Sequence, residues 1–100
     1  MASHLTVGVL RVVLHLPSSG SLKSKRQVIS GLLRRVRQEL HVAAAEVGEQ
    51  DRWQLAELAI TCVSGEARHA DEILAKALTF VERHSDGLQV ADVSTELLRL

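Results

Sequence analysis

The stretch LTVGVLRVVLHL, residues 5–16, decides the fold. Its side chains alternate between two sets, and both sets are mostly apolar. A strand with two apolar faces is buried on both sides, as the central strand of a sheet is. We therefore predict that this strand lies in the middle of a sheet, and that the loop Pro17-Ser18-Ser19-Gly20 ends it.

Helix and strand patterns then alternate along the chain. Ser21 is a suitable N-cap for a first helix, whose apolar residues from Leu22 to Leu40 recur at spacings of three and four. Residues 42–47 are a predicted short strand, followed by a turn at residues 48–51. Residues 53–63 form a second strand with two apolar faces, which also belongs in the middle of the sheet.

The second half of the chain completes the same pattern. Ser64 is predicted to cap a second helix with Glu66 in its first turn, and Asp86-Gly87 ends that segment. Residues 88–93 are a predicted last strand, and residues 94–100 a tail of undetermined form. The whole chain, residues 1–100, is then one domain with a core at 5–93.

The order βαββαβ determines the expected architecture. Right-handed crossovers give an antiparallel four-stranded sheet with both helices on one face, the ferredoxin-like α+β sandwich. The other sheet face stays bare, and either Val7, Val9 and Val13 or the opposite set of side chains must lie on it. Because an exposed aliphatic patch usually marks an interface, we predict a homo-oligomer that pairs through Val7, Val9 and Val13.

Composition indicates a cytoplasmic protein without a membrane anchor. Cys62 is the sole cysteine, which excludes an intrachain disulfide and fits a reducing compartment. The start Met1-Ala2-Ser3-His4 lacks the basic region of a secretory signal. The apolar run at residues 5–16 is interrupted by Arg11 and His15 and is too short to span a bilayer.

The net charge of zero hides a division between the two parts of the chain. Residues 1–38 contain seven basic residues and no acid, whereas residues 39–100 contain five basic and twelve acidic residues. Two interpretations stay open at this point. The basic part can form a patch that meets a polyanion, or the two parts can simply attract each other in the folded chain.

The first helix carries most of the basic charge. One stripe on its surface contains Lys23, Arg26, Ser30, Arg34 and Arg37, with Arg35 on the other flank. Lys25 falls near the core side, but its long side chain is expected to reach solvent from the first turn. We predict phosphate contacts by the residues Lys23, Lys25, Arg26, Arg34 and Arg37. The alternative is a merely solvated face, although such a face normally interleaves Glu with Lys or Arg.

Other constellations are weak. The central strands offer no aromatic residue for base stacking apart from Trp53 at the start of one strand, and Trp53 is interpreted instead as an amphipathic plug at the sheet edge. Glu66 and His69 stand three residues apart, but a metal centre needs more ligands. No nucleophile-elbow motif or complete phosphate loop is present. We therefore expect no catalytic residue, metal or cofactor, with an enzyme using the Gln50–Gln54 turn and His15 or His69 as a remote alternative.

Several motifs nevertheless resemble a known family. The segments Val7 to Arg11, His15-Leu16-Pro17, Ser21 to Arg26, Gln50 to Gln54 and Cys62-Val63-Ser64 resemble the YlxP-like family of small bacterial proteins, bacterial domain of unknown function 503. The resemblance covers about residues 5–95 and implies a ferredoxin-like fold. It also implies a gene placed among translation factors, near ribosome-binding factor A.

The resemblance and the basic helix together suggest a function. We expect a ribosome- or RNA-associated accessory factor that contacts the phosphate backbone of ribosomal RNA or of a ribosomal subunit. The alternative is a non-enzymatic oligomeric module for protein interaction or ligand sensing, which would use the bare sheet face.

Overall fold

The computed structural model describes residues 4–84 and 87–100. The predicted order of elements is confirmed. They are β1 (Thr6–His15), α1 (Leu22–Leu40), β2 (Ala43–Gly48), β3 (Leu55–Ser64), α2 (Ala67–Arg83) and β4 (Gln89–Arg99). Met1–Ser3, used above for the targeting prediction, and Asp86 of the predicted helix end lie outside the described residues.

The sheet is antiparallel with strand order β2-β3-β1-β4, so the ferredoxin-like prediction is confirmed. β1 pairs with β3 in unbroken register, from Thr6 opposite Ser64 to His15 opposite Leu55. On its other side β1 pairs with β4, with a shift in register after Val13. The two strands with apolar residues on both faces, β1 and β3, are the central pair, as their sequences predict.

The core lies between the helices and one face of the sheet. Alternate side chains of β1 and β3 point into it together with the inner sides of α1 and α2. Gly8 marks the closest approach, because a Cβ there would lie 2.9 Å from Leu74 Cδ1 and 3.1 Å from Cys62 Sγ. The absence of a side chain at Gly8 lets α2 pack directly on the sheet.

The predicted tail at residues 94–100 is wrong, because β4 continues to Arg99. The Leu100 N–H even donates to the Leu5 carbonyl at 2.8 Å. Most residues of β4 are exposed, since the strand lies at the sheet edge and the helices cover it poorly. Because backbone pairing with β1, more than burial of side chains, holds this segment in place, its sequence shows little alternation of apolar and polar residues.

The helix starts agree only in part with prediction. Ser21 is the N-cap of α1, and its Oγ accepts from the Ser24 N–H at 3.0 Å. For α2 the predicted cap at Ser64 is wrong, because the N-cap residue is Glu66, which makes no side-chain capping bond. Ser64 Oγ instead accepts from the Glu66 N–H at 3.0 Å, before the helix begins.

Candidate functional site

The outer side of α1 carries an open basic concavity of about 570 Å³. Lys23, Arg26 and Arg34 line it, and all three side chains are exposed. Arg37 lies in an adjoining concavity that also includes Arg26. We call Lys23, Arg26, Arg34 and Arg37 the basic surface. The structure thus brings together four of the five residues predicted to contact phosphate.

Gly31 lies on the floor of this concavity, among the side chains of the basic surface. A Cβ at Gly31 would meet nothing within 4 Å, so close packing does not demand a glycine here. Its helical position does not require a special backbone angle either. Having no side chain, Gly31 adds nothing to fill the concavity that Lys23 and Arg34 line.

The seven basic residues of the first part of the chain fall into two groups, according to whether they form ion pairs. Arg11 Nη1 lies 2.8 Å from Glu57 Oε2, and Lys25 Nζ lies 2.9 Å from Glu46 Oε2. Both pairs join the basic first part of the chain to the acidic second part, so mutual attraction accounts for these two residues. Among residues 4–84 and 87–100, no ion pair forms on the other five basic residues of the first part of the chain, which are Lys23, Arg26, Arg34, Arg35 and Arg37.

The expectation that the Lys25 side chain reaches solvent is wrong. Lys25 is 0% exposed, and its ammonium also donates to the Glu49 carbonyl. Within the described residues, Glu46 Oε2 has no hydrogen-bond partner to supplement this ion pair. A buried ammonium needs partners for its charge and its N–H groups, and the Glu46 carboxylate and the Glu49 carbonyl supply them. Lys25 therefore holds the β2–β3 turn against α1 and cannot reach a phosphate.

Some of the N–H groups of Arg37 form hydrogen bonds within the protein. Its Nε donates to the Ala44 carbonyl at 3.0 Å, and Nη2 donates to the same oxygen. This contact ties the end of α1 to the start of β2. A guanidinium has five N–H donors, so three remain for a ligand, and the side chain is exposed.

The bare face of the sheet carries Val7, Val9 and Val13, as one of the two predicted arrangements requires. Val7 lies between Val63 and Leu98 in the sheet register. Val63 is 67% exposed and Leu98 is 40% exposed. We call Val7, Val63 and Leu98 the apolar end of the open face.

Towards its other end the open face becomes polar. Val13 lies between Glu57 and Asp92, and the Arg11–Glu57 ion pair crosses the middle of the sheet. His15 Nδ1 lies 3.2 Å from Gln89 Oε1. Of the three predicted interface residues, Val7 therefore has apolar neighbours, whereas Val13 has acidic ones.

Trp53, interpreted above as an amphipathic plug at the sheet edge, is 54% exposed. It stands in the β2–β3 turn beside Arg52, which is also exposed. Sequence reasoning missed this residue as a functional candidate. The available signal was the polar neighbourhood Gln50-Asp51-Arg52, in which a large aromatic side chain has little to pack against.

Two other groups that the sequence brings forward, His69 and Cys62, lie in different surroundings. His69 Nδ1 lies 3.2 Å from Ser64 Oγ at the exposed start of α2. Burial raises the pKa of the Cys62 thiol, which donates to the Ala70 carbonyl at 3.6 Å in the core. Across the described part of the chain, no group of three or more His, Cys, Asp or Glu side chains could hold a metal ion. No helix among the described residues is both long and apolar enough to cross a membrane.

One solved structure of similar fold agrees with this architecture. A de novo designed protein, Foldit4, superimposes with a TM-score of 0.52 at 13% identity, covering 93% of this chain and 96% of that one. A dimeric ferredoxin-like protein of unknown function from Thermobifida fusca gives a TM-score of 0.43 at 12% identity, covering 94% of this chain and 92% of that one. The likeness to Foldit4 concerns the fold alone.

The sequence comparisons identify a family. Residues 7–95 match the model of a protein family of unknown function, DUF503. The uncharacterized protein YlxP of Bacillus subtilis (strain 168) is 36% identical over 64 residues, which are 64% of this chain and 70% of that protein. The chain belongs to the DUF503 family.

Proposed function

We propose that this member of the DUF503 family is a non-enzymatic accessory factor of the cytoplasm that binds the phosphate backbone of RNA through α1. Ribosomal RNA is the first candidate, because the family resemblance associates these genes with translation factors. The observation that carries the proposal is the basic surface itself. Lys23, Arg26 and Arg34 lie together around one concavity, exposed and without carboxylate partners among the described residues.

The length of the basic surface suits a nucleic-acid backbone. From Lys23 to Arg37 the helix rises about 21 Å, at 1.5 Å per residue. That length can reach several successive phosphates, whereas a small anion would need one or two cations. Arg side chains bind phosphate oxygens in pairs, and such contacts position a protein on RNA without reading its bases.

Co-sedimentation with ribosomal subunits and with naked ribosomal RNA, at increasing salt, tests the proposal. The wild type should bind at low salt and dissociate steeply as salt rises, because phosphate contacts release counterions. The triple variant Lys23→Gln, Arg26→Gln, Arg34→Gln should lose about three units of the log–log salt slope, one for each contact.

A matched control comes from α2. The triple variant Arg68→Gln, Lys76→Gln, Arg83→Gln removes the same charge from exposed positions and should keep the wild-type slope. Equal losses in both variants would mean that net charge alone drives binding. Absence of binding by folded wild type at low salt would overturn the proposal.

A second proposal concerns the open sheet face. We propose that two copies of the chain pair through the apolar end, where Val7 stands between the exposed Val63 and Leu98. A twofold contact brings the same patch of both copies together, so an apolar patch meets an apolar patch. This arrangement leaves the basic surface, on the opposite side of the sheet, open to RNA.

Sedimentation analysis distinguishes the oligomer from the monomer. Val63→Asp should give a monomer, since a carboxylate would be buried in the contact. Val47→Asp is the control, because Val47 is 46% exposed on β2 and outside the apolar end. A wild type that remains monomeric at its highest soluble concentration would contradict the dimer.

A further inference from the structure

Trp53 presents a large aromatic surface in the β2–β3 turn. It is the sole tryptophan of the chain, and 54% of its surface meets solvent. Its neighbours Asp51, Arg52 and Gln54 are exposed polar side chains. A large aromatic side chain held in such surroundings is typical of a contact with a partner.

The indole forms one wall of an open concavity of about 470 Å³ at the end of the sheet. His15, Asp51 and Arg52 also line it. An aromatic ring and a guanidinium both stack on the flat face of a nucleobase. The Asp51 carboxylate would repel a phosphate, but it can accept hydrogen bonds from the amino groups of bases. This combination fits a base better than it fits a phosphate.

Arg52 is available for such a contact. Its Nη1 lies 3.7 Å from Glu49 Oε2, and both side chains are exposed. An exposed ion pair of this length is weak, so a ligand can replace it at little cost.

The turn that carries Trp53 is held firmly from two sides. The Leu16 N–H donates to the Gln54 carbonyl at 2.8 Å, and Gln54 Nε2 donates to the Pro17 carbonyl at 3.3 Å. On the α1 side, the buried Lys25 ammonium donates to the Glu49 carbonyl. A preorganised aromatic surface loses less entropy when a ligand stacks on it.

The same turn borders the basic surface. Gln50 lines a concavity together with Arg26 and Arg37, while the next residues of the turn, Asp51 to Trp53, line the concavity around the indole. An RNA strand that leaves the concavity of Arg26 and Arg37 beside Gln50 can therefore follow this turn to Trp53.

We infer that Trp53, flanked by Arg52 and Asp51, is a stacking platform for an unpaired base of a single-stranded RNA segment. The phosphates next to that base would be held by the basic surface, so the inference rests on the proposed function. It extends that function by naming the substrate class, which is RNA with an unpaired segment beside a structured one. Duplex RNA would engage the basic surface alone, because its bases are stacked internally.

Trp53 fluorescence provides the test, since the chain has no other tryptophan. The intact protein is titrated with a short single-stranded RNA and with a blunt duplex of the same length. Single-stranded RNA should quench the emission, and the duplex should bind without quenching. Trp53→Ala should weaken single-strand binding about tenfold, the size of one lost base–aromatic stack, and leave duplex affinity unchanged. Trp53→Phe, which keeps a smaller ring, should restore part of the loss.

The possible outcomes separate this inference from the proposed function. Salt-sensitive RNA binding that neither quenches Trp53 nor weakens in Trp53→Ala would overturn the platform and leave the basic surface intact. Quenching that persists unchanged in the variant Lys23→Gln, Arg26→Gln, Arg34→Gln would keep the platform and overturn the phosphate site. If Trp53→Ala bound both RNAs normally but no longer sedimented with whole subunits, the tryptophan would contact a protein, and the inference would be wrong.

Discussion

The two helices cover the same face of the sheet, yet their outer surfaces differ in charge. Residues 22–38 of α1 contain six basic residues and no acid, whereas α2 contains three basic and three acidic residues. On α2 the charges interleave, and Arg68 lies 3.6 Å from Glu72 one turn away. α2 shows the surface that solvation alone requires. The excess on α1 goes beyond that requirement, which is why a polyanion is the proposed partner.

The inner sides of the helices differ as well. All buried residues of α2 are apolar, namely Ala70, Leu74, Ala77 and Val81. The buried residues of α1 include a lysine, Lys25, which forms an ion pair with Glu46 of β2. α2 is therefore held to the sheet by packing, and α1 is held partly by charge.

Removing that charge should have the largest effect on stability. Lys25→Ala leaves the Glu46 carboxylate without its partner and frees the β2–β3 turn, so the free energy of unfolding should fall by about 3–5 kcal/mol. Lys23→Ala, two residues away and exposed, should change it by less than about 0.5 kcal/mol. Urea denaturation of both variants measures the contrast. Similar small losses in the two would mean that α1 is held by packing alone, as α2 is.

The packing of α2 can be disturbed at its closest approach to the sheet. Gly8→Val places new atoms against Leu74 and Cys62, and overpacking of this kind should lower the free energy of unfolding by about 1–3 kcal/mol. Gly65→Ala is the control, since its Cβ would come no closer than 3.8 Å to its neighbour, the His4 carbonyl. A shift in the thermal midpoint should therefore appear for Gly8→Val only. A neutral Gly8→Val would show that α2 can move away from β1 freely.

Substitution of the two N-cap residues by alanine should change the free energy of unfolding by different amounts. Ser21→Ala removes the capping bond to the Ser24 N–H and should cost about 1 kcal/mol. Glu66→Ala removes no capping bond, so its effect should stay below about 0.5 kcal/mol, from the helix dipole alone. Equilibrium unfolding in guanidinium chloride would reveal the difference. A larger loss at Glu66 than at Ser21 would contradict the assigned caps.

The smallest predicted effect is an increase in the free energy of unfolding. Gly31→Ala introduces a better helix former where the new methyl meets no neighbour, so α1 should be stabilised by about 0.5–1 kcal/mol. Differential scanning calorimetry checks the expected rise in the thermal midpoint. A fall would show that the hollow of the basic surface is shaped by contacts absent from this structure.

The order of elements and the central strands were predictable, because β1 and β3 are apolar on both faces and both helices repeat at 3.6 residues. The length of β4 was not, since an edge strand depends on backbone pairing with a segment far away in the chain. Lys25 was misassigned for a similar reason. Helical periodicity placed it near the core, but its partner Glu46 lies on another element. Helical periodicity predicts that most residues of the basic surface share one side of α1. The exposure of Trp53 was not predictable, because the conformation of the β2–β3 turn has no sequence periodicity to indicate it.

The central position of β1 has a consequence for biosynthesis. His15 lies beside Gln89 in the sheet, 74 residues later in the chain. At about 5–20 residues per second, a ribosome needs roughly 4–15 s to complete that interval. Throughout it, a strand with two apolar faces lacks its neighbour β4, and contacts so distant in sequence also form slowly. The nascent chain is therefore most prone to aggregation before β4 has been synthesised, and a chaperone that shields residues 5–16 should raise its yield.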